Sequence, residues 1–370
     1  MKFDLAVVGG GVIGLSIAFE ALSRGWSVVV IEKPQIQPQT SWAGAGILPA
    51  TNAETAVDPF DRLRALSDQL HPQWSQRLKE LSEIDNQLLR CGTLFVANSP
   101  GEVASLRGQE HGWLDEKIEF QICSREQINS MLSGSNPETR EGILRAVFVP
   151  GEHQIRNPDH LAALEQSCLK LGGQIAHAAD VKLTHDSNLL TRLNVDNSEF
   201  AADRFCFAGG AWTAELLTDI GVEIDMEPVR GQMLLFKLDD PLFKPTMYEG
   251  SQYIVSRNDG HVLVGSTLER AGFDNSNTEE AVERLRKFAL KWSSRLDDAA
   301  FVQSWAGLRP GTHDGMPYIG QLTEFQNAFV ATGHLRSGLH LSTGTAVVLN
   351  QMMRGETTDV DLEPFRPSRG

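Results

Sequence analysis

The sequence lacks the features that identify membrane and nucleic-acid-binding proteins. No apolar run reaches the roughly 20 residues that cross a bilayer. The first residues do not have the form of a signal peptide, because Asp4 and a glycine cluster interrupt the apolar run. Basic residues are few, with 33 Lys and Arg against 48 Asp and Glu, and the net charge is −15. We therefore expect no nucleic-acid partner, no stable membrane insertion and no electrostatic docking on anionic lipid.

Cysteine is also scarce. The chain has four cysteines without C-x-x-C spacing: Cys91, Cys123, Cys168 and Cys206. We expect most of them to be buried free thiols, which suits a reducing cytoplasm. The ten histidines have no metal-ligand spacing, so we expect no metal.

A glycine fingerprint near the start of the chain lies between a strand-like run and a helical run. A strand-like run, Phe3–Val8, precedes Gly9-Gly10-Gly11-Val12-Ile13-Gly14, and a helical run, Leu15–Arg24, follows. A second strand-like run, Trp26–Ile31, then ends at Glu32, which is placed to accept from ribose hydroxyls. The alternative is a glycine-rich turn in an ordinary α/β protein. The flanking strands and the acid favour a dinucleotide site, for either FAD or NAD.

Each part of the fingerprint has its own physical role. Gly9 permits the tight turn, Gly11 lets the backbone approach a pyrophosphate, and Gly14 lets the helix pack closely on the strand. The amides of Val12 and Ile13 then face the anion at a helix N-terminus, where the helix dipole favours negative charge.

Two further segments contain closely spaced small residues. The strand-like run Arg204–Ala208 leads into Gly209-Gly210-Ala211-Trp212 and a helix near Thr213, which places a second helix start at the same edge of one sheet. The segment Thr40–Leu48 combines two hydroxyls with small residues at 43–46. These hydroxyls are suited to phosphate or ribose, although a helix start packed tightly on the sheet explains the same pattern.

Two arginines near the end of the chain lie in glycine-rich, weakly charged surroundings. Arg309 and Arg336 need an anionic partner if they are buried, because an isolated buried charge is costly. An internal salt bridge would satisfy them. The alternative is a substrate carboxylate, which the planar guanidinium binds in a bidentate manner. Tyr253 could add a hydroxyl to the same carboxylate, although sheet packing also explains a mid-strand tyrosine.

The last predicted helix runs from about Leu339 to Met353 and has no acidic cap. Its positive end, at the amides of Gly338 to His340, would stabilise the negative charge that a flavin N1–C2=O edge acquires on reduction. Capping by Ser337 is the alternative.

Periodicity and turn residues predict three local structures that the fold can test. Apolar spacing predicts a helix over Pro59–Ile84, broken or kinked at His71-Pro72. Asn157-Pro158 predicts a helix start with Asn157 as the N-cap. Asn258-Asp259-Gly260 predicts a hairpin in which Tyr253 and Ile254 face opposite sides of the sheet.

Taken together, these segments resemble the D-amino acid oxidase-like flavoproteins over nearly the whole chain. The most specific stretch is Trp305–Gly320, and the least specific is the first glycine motif. The other stretches that carry the resemblance are Thr40–Pro49, Ala208–Trp212, Val229–Gln232, Tyr253–Arg257 and Ala331–Gly338. One stretch, Ser342-Thr343-Gly344, departs from the apolar and proline-containing pattern that such enzymes often have.

The resemblance implies a set of binding residues. Arg309, Arg336 and Tyr253 would hold a substrate carboxylate. FAD would be bound through Val12, Ile13, Glu32, Lys33, Thr40, Ser41, Ala45, Gly46, Ile47, Val181, His334, Leu335, Arg336, Ser337, Gly338, Leu339 and His340. Covalently flavinylated relatives carry a cysteine near the position of Gly307, and no cysteine falls there, so the FAD should be non-covalent.

The resemblance implies oxidation of glycine or another small amino acid. Hydride would pass from Cα to flavin N5, giving an imino acid, and O₂ would be reduced to H₂O₂. No side chain is expected to act as a general base. The alternatives are a sarcosine or D-amino acid oxidase, a dehydrogenase that passes electrons to a quinone, and a non-catalytic flavin-binding protein.

We expect an α/β fold with a Rossmann-like FAD-binding domain and a second, mostly antiparallel α+β substrate domain. Residues 1–85, 144–226 and 300–370 are assigned to the first domain, and residues 86–143 and 227–299 to the second. The expected partners are a small amino acid and O₂, and the sequence allows a homo-oligomer.

Overall fold

The computed structural model describes residues 2–34, 40–178, 180–196, 198–297 and 300–369. Two large β-sheets and a short ribbon organise the described chain. The first sheet contains β1 (Lys2–Val8), β2 (Val28–Glu32), β8 (Gln174–His177), β9 (Val181–Asp186), β10 (Leu189–Val195), β11 (Ser198–Phe207), β17 (Tyr318–Gln321) and β18 (Ala328–Thr332).

The centre of the first sheet is parallel. Its strands follow the order β8-β2-β1-β11-β18, and every neighbouring pair in this series is parallel. Strand β17 pairs antiparallel with β18, and β9 and β10 extend antiparallel from β11. The chain leaves β1 towards both sides of the sheet, so the carboxyl end of β1 is a topological switch point, where α/β sheets bind ligands. The predicted Rossmann-like class is confirmed.

Helices cover one face of this sheet. The helices of the described chain are α1 (Val12–Ser23), α2 (Thr40–Ala43), α3 (Pro59–Ser82), α4 (Pro100–Asp115), α5 (Arg125–Met131), α6 (Pro137–Glu141), α7 (Asn157–Lys170), α8 (Thr213–Thr218), α9 (Glu279–Trp292) and α10 (Gly338–Met353). Leu5 and Val7 of β1 pack against α1, α3, α7 and α10, whereas Ala6 and Val8 join a cluster on the opposite face. This alternation is the period-2 pattern of a strand buried on both faces.

The second sheet is mostly antiparallel, as predicted. Its strands are β4 (Thr93–Ala97), β5 (Gln121–Ile122), β6 (Arg145–Val149), β12 (Glu227–Lys237), β13 (Thr246–Glu249), β14 (Gln252–Ser256), β15 (His261–Gly265) and β16 (Phe301–Gly311). They follow the order β16-β12-β15-β14-β13-β4-β6-β5, and among the described strands β4 and β13 form the parallel pair. A separate ribbon pairs β3 (Ile47–Leu48) with β7 (His153–Gln154).

The two faces of the second sheet have different neighbours. One face packs on α9, and Ile254 belongs to that cluster. The other face carries Tyr253 and Trp305, which pack with Ala43 and Ala45 from the segment that follows the first sheet's fingerprint. The predicted hairpin and the opposite orientations of Tyr253 and Ile254 are confirmed.

Two strands of the second sheet come from sequence ranges that are assigned above to the FAD-binding domain. Residues 145–149 and 301–311 fall in ranges assigned to the FAD-binding part, yet β6 pairs with β4 and β16 pairs along its length with β12 in the second sheet. The hydrogen-bonding partner decides the sheet, and that partner is distant in sequence.

Two helix predictions differ in part from the structure. Helix α3 continues through His71-Pro72 as one element, so Pro72 does not break it, and a kink there stays a prediction. A mid-helix proline costs about 3 kcal/mol, which the packing of Leu63, Trp74 and Leu78 in the first sheet's helical layer offsets. The N-cap of α7 is Arg156 rather than Asn157, which is the first helical residue and is buried. Tertiary contacts of the Asn157 side chain replace its capping role.

A stability test of this architecture uses the contact between α10 and α3. A Cβ on Gly344 would overlap the Ser67 hydroxyl and lie 3.1 Å from the Leu63 carbonyl oxygen. We expect Gly344→Ala to lower the free energy of unfolding by about 1–3 kcal/mol in urea denaturation, because the helices cannot approach as closely. Gly108→Ala is the matched control: nothing lies within 4 Å of its Cβ in α4, so it should be neutral or stabilising. Equal effects of the two substitutions would contradict the account.

Candidate functional site

A cavity of about 730 Å³ runs along the carboxyl edge of the first sheet and reaches the second sheet. Every residue predicted to bind a substrate carboxylate lines it, namely Arg309, Arg336 and Tyr253. The predicted cofactor-binding residues on its wall are Gly9, Gly11, Val12, Ile13, Glu32, Lys33, Thr40, Ser41, Ala45, Gly46, Ile47, Val181, His334, Leu335, Arg336, Ser337, Gly338, Leu339 and His340. The fold therefore brings residues from both ends of the sequence to one cavity.

Gly14 is the exception among the predicted cofactor residues. It does not line the cavity, and a Cβ there would overlap the Gly9 carbonyl oxygen and lie 3.2 Å from Val7 Cγ1. Gly14 therefore lets α1 pack on β1. Gly9 forms the turn itself, with φ at +115°.

The start of α1 faces the cavity without a side-chain cap. Gly11 is the N-cap, and the first turn contains no acid. The amide of Val12 donates to Ser41 Oγ at 3.0 Å, and Asn157 Nδ2 donates to the Ser41 carbonyl at 2.8 Å. Ser41 is thus fixed from both sides beside a positive helix end, where an anion would be stabilised.

Asn157 was not predicted as part of the site. Its side chain lies on the cavity wall and holds the Ser41 backbone. The sequence offered only the Asn-Pro helix start, which is a signal for local capping and says nothing about a contact 116 residues away.

Glu32 lies at the end of β2, as the fingerprint predicts. Its carboxylate accepts a hydrogen bond from the Gly10 amide, and burial raises its pKa above the usual range for glutamate. Asp180 and Val181 line the same cavity just after β8. This end of the cavity provides a carboxylate acceptor for hydroxyl donors.

The start of α10 is the second positive helix end on the cavity. Its N-cap, Ser337, makes no side-chain capping bond, and the first turn has no acid, so the alternative of capping by the Ser337 side chain is not seen. His334 Nδ1 and His340 Nε2 are buried without a hydrogen-bond partner among the described residues. Burial lowers the pKa of both imidazoles, that of His334 to about 3, so both rings are neutral.

The polar stretch Ser342-Thr343-Gly344 packs on α3 and does not line the cavity. Thr343 Oγ1 donates to the Ser67 carbonyl at 3.0 Å, and the Gly344 amide donates to Ser67 Oγ at 3.2 Å. His71 Nε2 lies 2.8 Å from the carbonyl oxygen of His340. These three residues, which depart from the pattern of the family, therefore connect α10 to α3. The residues that precede them in the sequence line the cavity.

Arg309 lies near the end of β16 and is bound only by neutral groups among the described residues. Its Nη2 donates to Ser266 Oγ at 2.9 Å and its Nη1 to the Thr267 carbonyl at 3.2 Å. Burial lowers the pKa of Arg309, and the nearby positive charge of Arg336 lowers it further. The alternative of an internal salt bridge is not seen.

Arg336 is exposed at the start of the 334–340 loop. No described side chain forms an ion pair with it, although it acts electrostatically on Arg309 and on the hydroxyl of Tyr248. The cavity-lining acids are Glu32, Asp180, Glu215 and Asp219, which all follow or lie near strands of the first sheet. The end of the cavity at the second sheet thus holds two cations and no described acid, an arrangement suited to an anion.

Two tyrosines complete this end. Tyr253 Oη donates to Met233 Sδ at 3.2 Å, and the ring of Tyr248 lies 5.2 Å from that of Tyr253 on the adjacent strand. Tyr248 lines the cavity, and burial raises the pKa of its hydroxyl. Sequence reasoning missed Tyr248. The available signal was its position before the turn at Gly250-Ser251, which pairs it with Tyr253.

The glycine fingerprint of the Rossmann-like sheet opens on a cavity that this sheet shares with the second sheet. Such an arrangement defines a dinucleotide-binding protein with a small-molecule site beside the cofactor. The family described as FAD dependent oxidoreductase matches residues 4–352, and the chain belongs to this family. FAD is therefore the cofactor.

The similar proteins include several glycine oxidases. The chain is 30% identical to the glycine oxidase of Pseudomonas putida over 369 residues, which is 99% of each protein. The crystal structure of glycine oxidase from Geobacillus kaustophilus matches with a TM-score of 0.91 at 30% identity, covering 100% of this chain and 99% of that one. The chain is also 27% identical to the bifunctional protein ThiO/ThiG of Synechocystis, where it covers 54% of the longer protein.

The residues of the cavity fit FAD. Its pyrophosphate requires a positive backbone site and its flavin edge requires a second one, and the uncapped starts of α1 and α10 provide both. Two buried histidine nitrogens without partners lie beside the second site. None of the described residues on the cavity wall is a cysteine, and Cys91, Cys123, Cys168 and Cys206 are all free.

No described helix is both long and apolar enough to cross a membrane. The described ranges contain no group of three or more His, Cys, Asp or Glu side chains arranged to hold a metal ion.

Glu32 offers a test of cofactor orientation. We expect Glu32→Gln to weaken FAD binding roughly 10- to 100-fold, because a charge-assisted hydrogen bond to a ribose hydroxyl is lost. The affinity of the unsubstituted protein should fall as the pH drops through the raised pKa of Glu32, since the protonated carboxyl is a poorer acceptor. Fluorescence titration of FAD measures both effects. The control is Glu324→Gln at an exposed turn, and comparable losses in the two variants would contradict the assignment.

Proposed function

We propose that the protein catalyses the FAD-dependent oxidation of glycine or a similarly small amino acid, giving an imino acid and H₂O₂. The observation that carries this proposal is Arg309, a half-buried guanidinium on the cavity wall whose described partners are all neutral. A carboxylate would supply the missing counter-charge and would exchange weak neutral contacts for a bidentate pair.

The substrate site is formed by three side chains from separate elements. Arg309 comes from β16, Tyr253 from β14, and Arg336 from the loop before α10. In the proposed complex, Arg309 grips the carboxylate, Tyr253 turns its hydroxyl from Met233 Sδ to the same group, and Arg336 closes the open side. Sulfur is a weak acceptor, so little is lost when the tyrosine hydroxyl changes partner.

The cofactor site is proposed to use the first sheet's carboxyl edge. The amides of Val12 and Ile13 would face the pyrophosphate, Glu32 the adenosine ribose, and the backbone near Val181 the adenine. Thr40, Ser41 and the segment from Ala45 to Ile47 would form one wall. The 334–340 loop and the start of α10 would face the flavin edge that becomes negative on reduction.

The protein's contribution to the reaction is positioning. Fixing the carboxylate at Arg309 leaves the amine and Cα facing the cofactor end of the cavity, so the reacting atoms are held together before the barrier is crossed. FAD bound in this cavity would supply the redox chemistry, as a hydride acceptor that O₂ reoxidises with formation of H₂O₂. No carboxylate or neutral histidine on the wall is assigned as a general base, so the substrate is expected to react as the neutral amine.

The comparisons support glycine as the substrate, because several full-length relatives are named glycine oxidase. The relatives named ThiO/ThiG support a role in supplying the glycine imine to thiamine (thiazole) biosynthesis. A cytoplasmic location and a homo-oligomeric state stay predictions. The assigned roles of the individual residues and the division into two domains are likewise part of this proposal.

The deciding experiment measures peroxide release by the FAD-loaded protein with glycine, sarcosine, D-alanine and D-proline. Peroxide with glycine at the highest kcat/KM supports the proposal. A preference for sarcosine or a D-amino acid would assign those oxidase activities instead. Dye reduction without peroxide would indicate a dehydrogenase, and no reaction with any amine would indicate a non-catalytic flavin-binding protein.

The role of Arg309 has its own test. Arg309→Ala should raise the KM for glycine roughly 100-fold or more, because a bidentate charged pair worth about 3 kcal/mol is lost. Binding of FAD should change little. The matched control is Arg284→Ala on the exposed side of α9, which should leave KM unchanged. An unchanged KM in Arg309→Ala would remove Arg309 from the substrate site.

A further inference from the structure

Arg257, at the turn after β14, is a buried arginine that, like the half-buried Arg309, is bound by neutral groups among the described residues. Its side chain is almost fully buried. Nη1 donates to Gln154 Oε1 at 2.9 Å, and Nη2 donates to the carbonyl oxygens of Ala45 at 2.8 Å and Ile155 at 2.9 Å. Arg257 does not line the cavity. Its guanidinium therefore acts on the backbone and has no direct route to a ligand.

A buried cation held only by neutral acceptors costs stability, and an apolar side chain of similar volume would avoid that cost. Burial lowers the pKa of Arg257 to about 10, so it remains charged near neutral pH. Asp259, the acid of the neighbouring turn, is paired with Arg156 and His261 instead. The positive charge of Arg257 therefore lies at a buried site where the stability of the fold does not require a charged side chain.

The carbonyl groups that Arg257 binds fix one wall of the cavity. The Gly46 carbonyl accepts from the Ile155 amide at 2.8 Å, and Ile47 pairs with Gln154 in the β3–β7 ribbon. Gly46 has φ at +75°, and a Cβ there would overlap the Ile155 carbonyl oxygen. Segment 45–47 therefore lies tightly against residues 154–155, and Arg257 donates to a carbonyl of each segment.

Arg257 also connects this wall to the second sheet. It lies four residues after Tyr253, just beyond the end of β14, and Gln154 Nε2 donates to the Ser256 carbonyl at 3.2 Å. One guanidinium thereby sets the position of the Ala45–Ile47 wall relative to the strand that carries Tyr253. Any change at this contact would move the cofactor wall and the substrate end with respect to each other.

We propose that Arg257 is a positioning residue that fixes the Ala45–Ile47 wall in the geometry that binds FAD. The proposal rests on FAD as the cofactor and not on the identity of the substrate. It assigns Arg257 no contact with the flavin or the amino acid.

The test compares Arg257→Met, Arg257→Lys and the surface control Arg284→Met. Three quantities are measured for each: the FAD dissociation constant by fluorescence titration, the visible spectrum of the bound flavin, and the rise in thermal midpoint on adding FAD. We expect Arg257→Met to weaken FAD binding at least 10-fold, to shift the bound spectrum towards that of free FAD, and to reduce the FAD-induced thermal stabilisation. Arg257→Lys should recover part of each effect, because an ammonium still donates to one or two of the carbonyls.

A purely structural role gives a different pattern. In that case Arg257→Met lowers the thermal midpoint of the FAD-free protein but leaves the dissociation constant within twofold and the spectrum unchanged, and the proposal is overturned. If Arg257→Met does not fold, Arg257→Lys decides: FAD binding at least threefold weaker at an unchanged FAD-free midpoint supports the proposal, and unchanged binding overturns it. None of these readouts uses an amine, so a failure to oxidise glycine leaves the test intact.

Discussion

The positive ends of α1 and α10 face one cavity, and this shared position constrains the rest of the structure. Neither N-cap residue makes a side-chain capping bond and neither first turn contains an acid, although the Val12 amide of α1 donates to Ser41 Oγ. A backbone site of this kind is satisfied by an anion, and two of them along one sheet edge match a ligand with two separated regions of negative charge. The parallel order of the strands around β1 makes the arrangement unavoidable, because the carboxyl ends of β1 and β18 lie at the same edge and lead into these helices.

The second sheet adds a constraint that comes from side-chain charge. It brings Arg309, with neutral hydrogen-bond partners, close to Arg336 from the loop before α10, so two cations repel each other where no described acid compensates them. In the proposed complex, a bound carboxylate would relieve this repulsion. Part of the substrate's binding energy would then come from a charge arrangement already built into the protein, and the position of that charge would orient the amine towards the cofactor.

Local signals in the sequence predicted much of this structure. The glycine fingerprint, the second glycine junction and the hairpin at 258–260 depend on residues next to each other, and they appear where expected. Long-range contacts were not predictable in the same way. The sheet that contains β6 and β16 depends on distant pairing partners, α3 continues through Pro72 because of packing, and Asn157 and Arg257 act through side-chain bonds to carbonyls more than 100 residues away. Tyr248 lies at the site because it pairs with Tyr253 on the adjacent strand.

The central claim is that a carboxylate held at Arg309 orients the amine for oxidation. Its most direct test mixes the FAD-loaded protein anaerobically with glycine or with glycinamide, which keeps the amine and Cα but lacks the carboxylate, and follows the visible absorbance of the flavin. The account predicts that glycine bleaches the flavin and that glycinamide does so at least roughly 100-fold more slowly. Bleaching at similar rates by the two compounds would contradict it.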